Sequence, residues 1–226
     1  MSHGGFYIPR LFKWLPRNLE GLTILDAGQG RGEVAYYIRA FSDRPASDFH
    51  GQPYIVGVDL HKPHIEFAKK YLDKIYDETY VLNLADVEEF FKGRHFDMAM
   101  LLEVPEHIPK DLALKILDQV ERVADYILIA TPYGDELNRD YGDVFPEFNH
   151  VSVWMPEDFE KRGYRVWVEE VTPYPRSIRL FRWILRIYAQ MRGRTSVVQK
   201  KIIATRNPKG IVIGEGLNFA GLRGKV

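Results

Sequence analysis

The chain has 226 residues, which suits one domain with additions rather than two catalytic domains. Its 46% hydrophobic and 27% charged residues are those of an ordinary globular domain, and the absence of cysteine excludes disulfides, cysteine-ligated zinc, iron–sulfur clusters and thiol nucleophiles. The formal net charge is zero but uneven: residues 1–170 carry 19 Lys and Arg against 30 Asp and Glu, whereas residues 171–226 carry 12 Lys and Arg and one acid, Glu215.

The start, MSHGGFYIPRLFKWLPRN, is broken by Pro9, Arg10, Lys13 and Pro16 before an apolar signal-peptide core can develop, and residues 1–21 read as a helical extension. No run approaches the roughly 18 apolar residues of a spanning helix, so a soluble, cytoplasmic protein is expected. Leu22–Ala27 (LTILDA) reads as a buried strand entering a glycine turn, and Glu33–Phe41 follows with Val34, Tyr37, Ile38 and Phe41 at helical spacing. Residues 42–53 form a polar loop before a second strand, Tyr54–Asp59. Pro63 suits the first turn of a helix with the stripe Ile65, Ala68, Leu72 and Ile75.

Thr79–Leu84 is expected to be the third strand, Asp86–Phe91 a short helix and Phe96–Leu102 the fourth strand. Leu112, Ile116, Val120 and Val123 mark a helix that feeds a fifth strand, Tyr126–Ala130. A short helix begins near Met155 and stops at Gly163, and Tyr164–Val171 and Lys201–Arg206 supply strands six and seven. A helical insertion at about 174–198 and a glycine-rich tail at 208–226 complete the chain. Strands alternating with amphipathic helices make the class α/β: a Rossmann-like, seven-stranded, mostly parallel sheet with helices on both faces.

Asp26-Ala27-Gly28-Gln29-Gly30-Arg31-Gly32 lies between the first strand and the first helix, where glycines let the backbone approach a ligand. The dinucleotide fingerprint needs a small residue at position 33, where this chain has Glu33, and the phosphate loop with its Lys is also missing. Asp59, ending the second strand, can accept both hydroxyls of a ribose. Acids at strand ends, namely Asp26, Asp59, Asp86 and Glu103, favour a cationic nucleoside cofactor over one carrying pyrophosphate.

These residues resemble the class I S-adenosylmethionine-dependent methyltransferases over about residues 22–172: ILDAGQGRGE, VGVDL, LADVEEF and FDMAMLLEVPEHIP stand in the family's order. The likeness is to the small-molecule branch, in which Glu106-His107 follows strand four and His150-Val151-Ser152-Val153-Trp154-Met155-Pro156-Glu157-Asp158-Phe159 precedes strand six. It implies S-adenosylmethionine as cofactor, with Asp26, Gly28 and Gly30 beside its methionine and ribose, and Asp59 with Leu60 at the ribose strand. Asp86 and Val87 would face the adenine, and Glu103 the sulfonium end. The chain departs from the pattern at Gln29 and in its long loop at 42–53.

Each residue also has a plain structural reading. The glycines could make only a turn, and Asp59 and Asp86 could only cap helices. His107 and His150 are the candidates for proton transfer, since a neutral imidazole accepts a proton near pH 7, but either could simply hold a loop. Tyr133 lines the pocket or serves its turn. No metal is expected, because His61 and His64 flank Pro63 without a matching set of carboxylates.

The segment Arg176–Arg194 holds six arginines and no acid, with Arg179, Arg182 and Arg186 on one stripe and apolar residues covering the rest. It could pack on its own domain, join a homo-oligomer or meet an anionic membrane surface. No specific nucleic acid is expected. The expected activity is methyl transfer to an O, N or C nucleophile of a small-molecule acceptor. The alternatives are a non-catalytic cofactor-binding or interaction protein using the basic segment, and a nucleotide-dependent oxidoreductase.

Overall fold

A computed structural model describes residues 11–42, 51–134, 149–171, 199–211 and 213. The segment Arg176–Arg194, residues 43–50 of the polar loop and most of the tail after residue 207 lie outside the described residues.

Seven strands form one sheet: β1 (Thr23–Ala27), β2 (Tyr54–Asp59), β3 (Glu78–Val81), β4 (Phe96–Leu102), β5 (Ala124–Pro132), β6 (Arg165–Val171) and β7 (Gln199–Arg206). The order across the sheet is β3-β2-β1-β4-β5-β7-β6. Strand β7 runs antiparallel to both its neighbours, and the remaining pairs are parallel. The helices are α1 (Glu33–Ser42), α2 (Lys62–Tyr71), the single turn α3 (Val87–Phe90), α4 (Lys110–Val123) and α5 (Pro156–Glu160). The sheet is a seven-stranded, mostly parallel one with helices on both faces, as the alternation of patterns requires.

Alternation along the strands sends side chains to two cores. Leu25, Ala99 and Ile127 point to one face and pack with Ile116 and Val120 of α4 and Phe159 of α5. Ile24, Met98, Met100, Tyr126 and Leu128 point to the other and meet Ala35 and Ile38 of α1 and Ala68 of α2. Strand β1 lies between β2 and β4, so the chain reverses its direction of travel across the sheet after β3. That reversal opens a crevice at the carboxyl ends of β1 and β4, where open α/β sheets bind ligands.

Two expectations change, and a third is described only in part. Of the segment read as an N-terminal helical extension, residues 1–10 lie outside the described residues; Leu11 is helical and is followed by a 3-10 turn at Phe12–Trp14 and an isolated bridge from Pro16 to Ile213. This stretch belongs to the core, because Leu11, Trp14, Leu15 and Leu19 are buried against the second face. Strand β3 stops at Val81, since the Asn83 side chain accepts from the Ala85 amide at 3.0 Å and folds Leu84–Asp86 into a 3-10 turn. On α4 the buried set is Ala113, Ile116, Leu117, Val120 and Val123, while Leu112 is 39% exposed. Starting the helix at Lys110 centres that stripe on the sheet and leaves Leu112 at its edge, about 100° from Ala113.

Candidate functional site

At the end of β1 the chain turns through Gly28, Gly30 and Gly32, with φ of +85°, +54° and +80°. These left-handed values are what the glycines are for. The amides of Gly28 and Gln29 both donate to the Val58 carbonyl, at 2.8 and 2.9 Å, and draw the loop across to β2. Asp59 completes the stitch: one carboxylate oxygen accepts the Gly30 amide at 2.8 Å, and the other accepts the His61 amide at 2.7 Å. His64 Nδ1 lies 3.3 Å from the first of these oxygens. Asp59 therefore orders the entry to α2 and also fixes the loop. Beside it Leu60 is 67% exposed, an apolar side chain held at the mouth of the crevice.

The glycines differ in their surroundings. A Cβ on Gly30 would meet nothing within 4 Å, so open space faces this residue. A Cβ on Gly28 would fall 2.4 Å from Val104 Cγ2. The room that Gly28 was expected to leave for a ligand is taken by Val104, and the open part of the loop is at Gly30. Gln29, at the departure from the family pattern, turns inward: a Cβ on Gly57 would stand 1.9 Å from its Oε1, which accounts for glycine within β2. Both polar atoms of the Gln29 amide are buried without a hydrogen-bond partner among the described residues.

Asp26 is buried and accepts the Tyr76 hydroxyl at 2.7 Å. Burial pushes its carboxyl up to about 6, against the pull of the Tyr76 bond, and the nearby Asp59 charge adds to the rise. Asp86 is exposed at the N-cap of α3 and makes no side-chain cap. Val87 was expected to face the adenine, but its side chain is buried in the core with Leu84 and Phe91, and its amide donates to the Leu84 carbonyl.

The carboxyl ends of β4 and β5 and the amino end of the antiparallel β7 build a second group beside this loop. Glu103 has φ of +58°, outside the range that residues with a side chain favour, and its carboxylate pairs with Lys201 of β7, which is only 5% exposed. Glu106 follows in a 3-10 turn, Pro105–His107, and is 1% exposed. Its Oε2 accepts the Thr131 hydroxyl at 2.9 Å, and its Oε1 has no hydrogen-bond partner among the described residues. Burial, and then the Glu103 charge, push the Glu106 carboxyl up to about 8, with Lys201 opposing.

The segment carrying His150 is clamped onto this turn. The amides of Val151 and Ser152 donate to the Glu106 carbonyl, the Ser152 hydroxyl donates to the Pro105 carbonyl, and Trp154 Nε1 donates to Ser152 Oγ. Further along, Lys110 Nζ reaches the Val153 carbonyl at 2.9 Å and Asp158 at 2.6 Å. The result brings the His107 and His150 rings to 5.0 Å, edge to face, and sets His107 Nδ1 3.1 Å from the Asn149 carbonyl. Tyr133, half-buried, has its amide on the Lys200 carbonyl at 3.1 Å and Lys200 Nζ over its ring.

The structure brings the His107 ring to the His150 ring and ties Gly30 to Asp59, with the buried Asp26 nearby, while Tyr133 is placed by its contacts with Lys200. The sequence alone missed Tyr76, Thr131 and Lys201, and offered Glu106 only as part of the Glu106-His107 motif. Lys201 left a trace as a charge opening the apolar run KIIATR; Thr131 and Lys201 reach the same end of the sheet through the register of β5 with β7, and Tyr76 meets Asp26 only through the fold.

No family model matches the chain, and no curated protein does. Solved structures do. A SAM-dependent methyltransferase from Archaeoglobus fulgidus is 18% identical, with 88% of this chain and 91% of that chain covered and a TM-score of 0.54. Magnesium protoporphyrin IX methyltransferase from Synechocystis PCC 6803, with bound SAH, is 16% identical, with 84% and 75% covered and a TM-score of 0.52. The cyclase SpnF is 14% identical, with 84% and 75% covered and a TM-score of 0.52. The chain has the class I S-adenosylmethionine-dependent methyltransferase fold. Among the described residues no helix is long and apolar enough to cross a membrane.

Proposed function

We propose that the protein transfers a methyl group from S-adenosylmethionine to a nucleophilic atom of a small-molecule acceptor. The observation that carries this reading is Asp59: a buried carboxylate at the end of β2, tied to the one glycine of the loop that faces open space, in the crevice where this fold binds ligands. Carboxylate oxygens have further lone pairs for two ribose hydroxyls. Leu60 offers an apolar surface beside them, and the acidic lining at Asp26 and Asp59 suits a cationic ligand.

When bound, S-adenosylmethionine supplies an electrophilic methyl carbon on a sulfonium. The chain's own task is then alignment, holding acceptor, methyl carbon and leaving sulfur in line. The acceptor's proton goes to a neutral imidazole: with Nδ1–H donating to the Asn149 carbonyl, His107 carries its lone pair on Nε2 and accepts a proton from an acceptor hydroxyl there. An amine or an ionised oxygen needs no such base.

The test is incubation with S-adenosylmethionine and a panel of hydroxyl, amine and carbon-acid acceptors, with S-adenosylhomocysteine and product mass both measured. The reading expects S-adenosylhomocysteine and a product one methyl heavier, with His107→Ala slowing hydroxyl acceptors while cofactor affinity stays as it was. Cofactor binding with no change in product mass across the panel would favour a protein that binds the cofactor without transferring its methyl group; the neighbour SpnF, a cyclase, is similar in fold. Binding of NAD in place of S-adenosylmethionine would overturn the cofactor assignment.

A further inference from the structure

The cluster at the acceptor end holds more than a base needs. One carboxylate oxygen of Glu106, one ring nitrogen of His107 and one of His150 all lie within 4.8 Å of one another. Two imidazoles and a carboxylate at this separation can converge on one ion, given metal–ligand bonds of about 2.0 to 2.2 Å. A second observation points the same way. Glu106 is only 1% exposed, and its Oε1 has no hydrogen-bond partner among the described residues, an arrangement that costs free energy unless something completes it.

The surroundings are those of a ligand set. The Asn149 carbonyl facing His107 Nδ1 fixes the tautomer that presents Nε2, the role backbone carbonyls play behind metal-bound histidines. Thr131 orients Glu106 through its other oxygen. The segment bearing His150 is bonded to the Glu106 carbonyl by two successive amides, so the three ligands sit on one rigid unit although His107 and His150 are far apart in sequence. Lys201 pairs with Glu103 and keeps that acid in its own ion pair, which leaves a donor set of two imidazoles and one carboxylate.

We propose that Glu106, His107 and His150 form a binding site for one divalent transition-metal ion, with coordination positions left for oxygen ligands of the methyl acceptor. The donor set selects zinc, cobalt, iron or manganese over magnesium and calcium, which prefer oxygen alone. Its role toward the acceptor rests on the methyl-transfer reading; metal binding itself does not. With the ion bound, His107 Nε2 is a ligand and no longer the base, and an acceptor hydroxyl held on the ion would release its proton to solvent because the ion's charge lowers its pKa.

The experiment titrates tag-free, metal-stripped full chain with Zn2+, Co2+ and Mg2+ separately, by calorimetry and, for Co2+, by visible absorption. One equivalent of Zn2+ and of Co2+ is expected, with a Co2+ ligand-field band and Mg2+ weaker by at least about tenfold. His150→Ala and Glu106→Gln should each lose at least about tenfold in Zn2+ affinity and lose the band, whereas His95→Ala, at the opposite end of β4, should keep both. S-adenosylhomocysteine affinity and the unfolding midpoint are measured on the same proteins, so that a misfolded variant or a failed cofactor assignment is told apart from a failed metal site. No Zn2+ or Co2+ binding by the folded wild type, or binding that survives both His150→Ala and His107→Ala, would overturn the proposal.

Discussion

Asp26 shows how burial turns one carboxyl into a pH-dependent element. Folding raises its pKa from the ordinary 3.8 to about 6, because the charged form loses its water and gains only the Tyr76 hydroxyl in return. The folded chain therefore holds this proton to higher pH than the unfolded chain does. The stability contributed by the neutral acid is fully present below about pH 4 and is lost as the pH rises through about 6. Asp26→Asn keeps an acceptor for Tyr76 and removes the titration. The variant should gain on the order of 2 to 3 kcal/mol over the wild type at pH 8 but little at pH 4, measured by denaturant unfolding without cofactor. A difference that does not change with pH would remove Asp26 as its source.

At the level of elements, the glycine loop is held by β2, through Val58 and Asp59, and by Val104 just after β4. Gly28→Ala places a methyl against Val104 at a φ of +85°, and both penalties fall on folding: a loss of about 2 kcal/mol or more is expected. Val104→Ala in the same chain should return about 1 kcal/mol of that loss, read from a double-mutant cycle of unfolding free energies. Gly30→Ala, facing open space, should cost only the strain of about 1 to 2 kcal/mol in stability yet weaken cofactor binding by more than tenfold. Equal effects at the two glycines in both measurements would contradict the distinction. This difference was not legible in the sequence, where the glycines of GQGRG look alike, because what separates them is a side chain 76 residues beyond Gly28. The strands were legible for the opposite reason. YIVGVD and FDMAMLL are short apolar runs set by local composition, and β2 and β4 begin and end with them. Strand β7 starts two residues earlier than KIIATR suggests, since Gln199 and Lys200 are ordered by pairing with Val171 and Glu170 rather than by their own preference. Likewise, motif order located Val87 but could not show that its side chain turns into the core.

In the molecule as a whole, both faces of the sheet must be covered, and on one of them the segment from Leu11 to Leu19 does the covering. The Trp14 ring sits 5.8 Å from Trp167 on β6, its carbonyl accepts the Tyr126 hydroxyl, and Lys13 pairs with Glu169. Trp14→Ala should cost about 3 to 5 kcal/mol of stability, seen as a lowered denaturant midpoint; a midpoint within error of the wild type would show the segment to be dispensable. The same arrangement leaves the carboxyl ends of β1, β2 and β4 for ligands, with Asp59 and the Gly30 turn on one side and the Glu106, His107 and His150 cluster on the other. The cofactor assignment that joins them is tested most directly by calorimetric titration of S-adenosylhomocysteine into the wild type and into Asp59→Asn. A single site is expected in the wild type, weakened by about 1.5 to 3 kcal/mol in the variant, as befits lost hydrogen bonds to a charged group. No binding by the wild type, or the same affinity in both proteins, would contradict it.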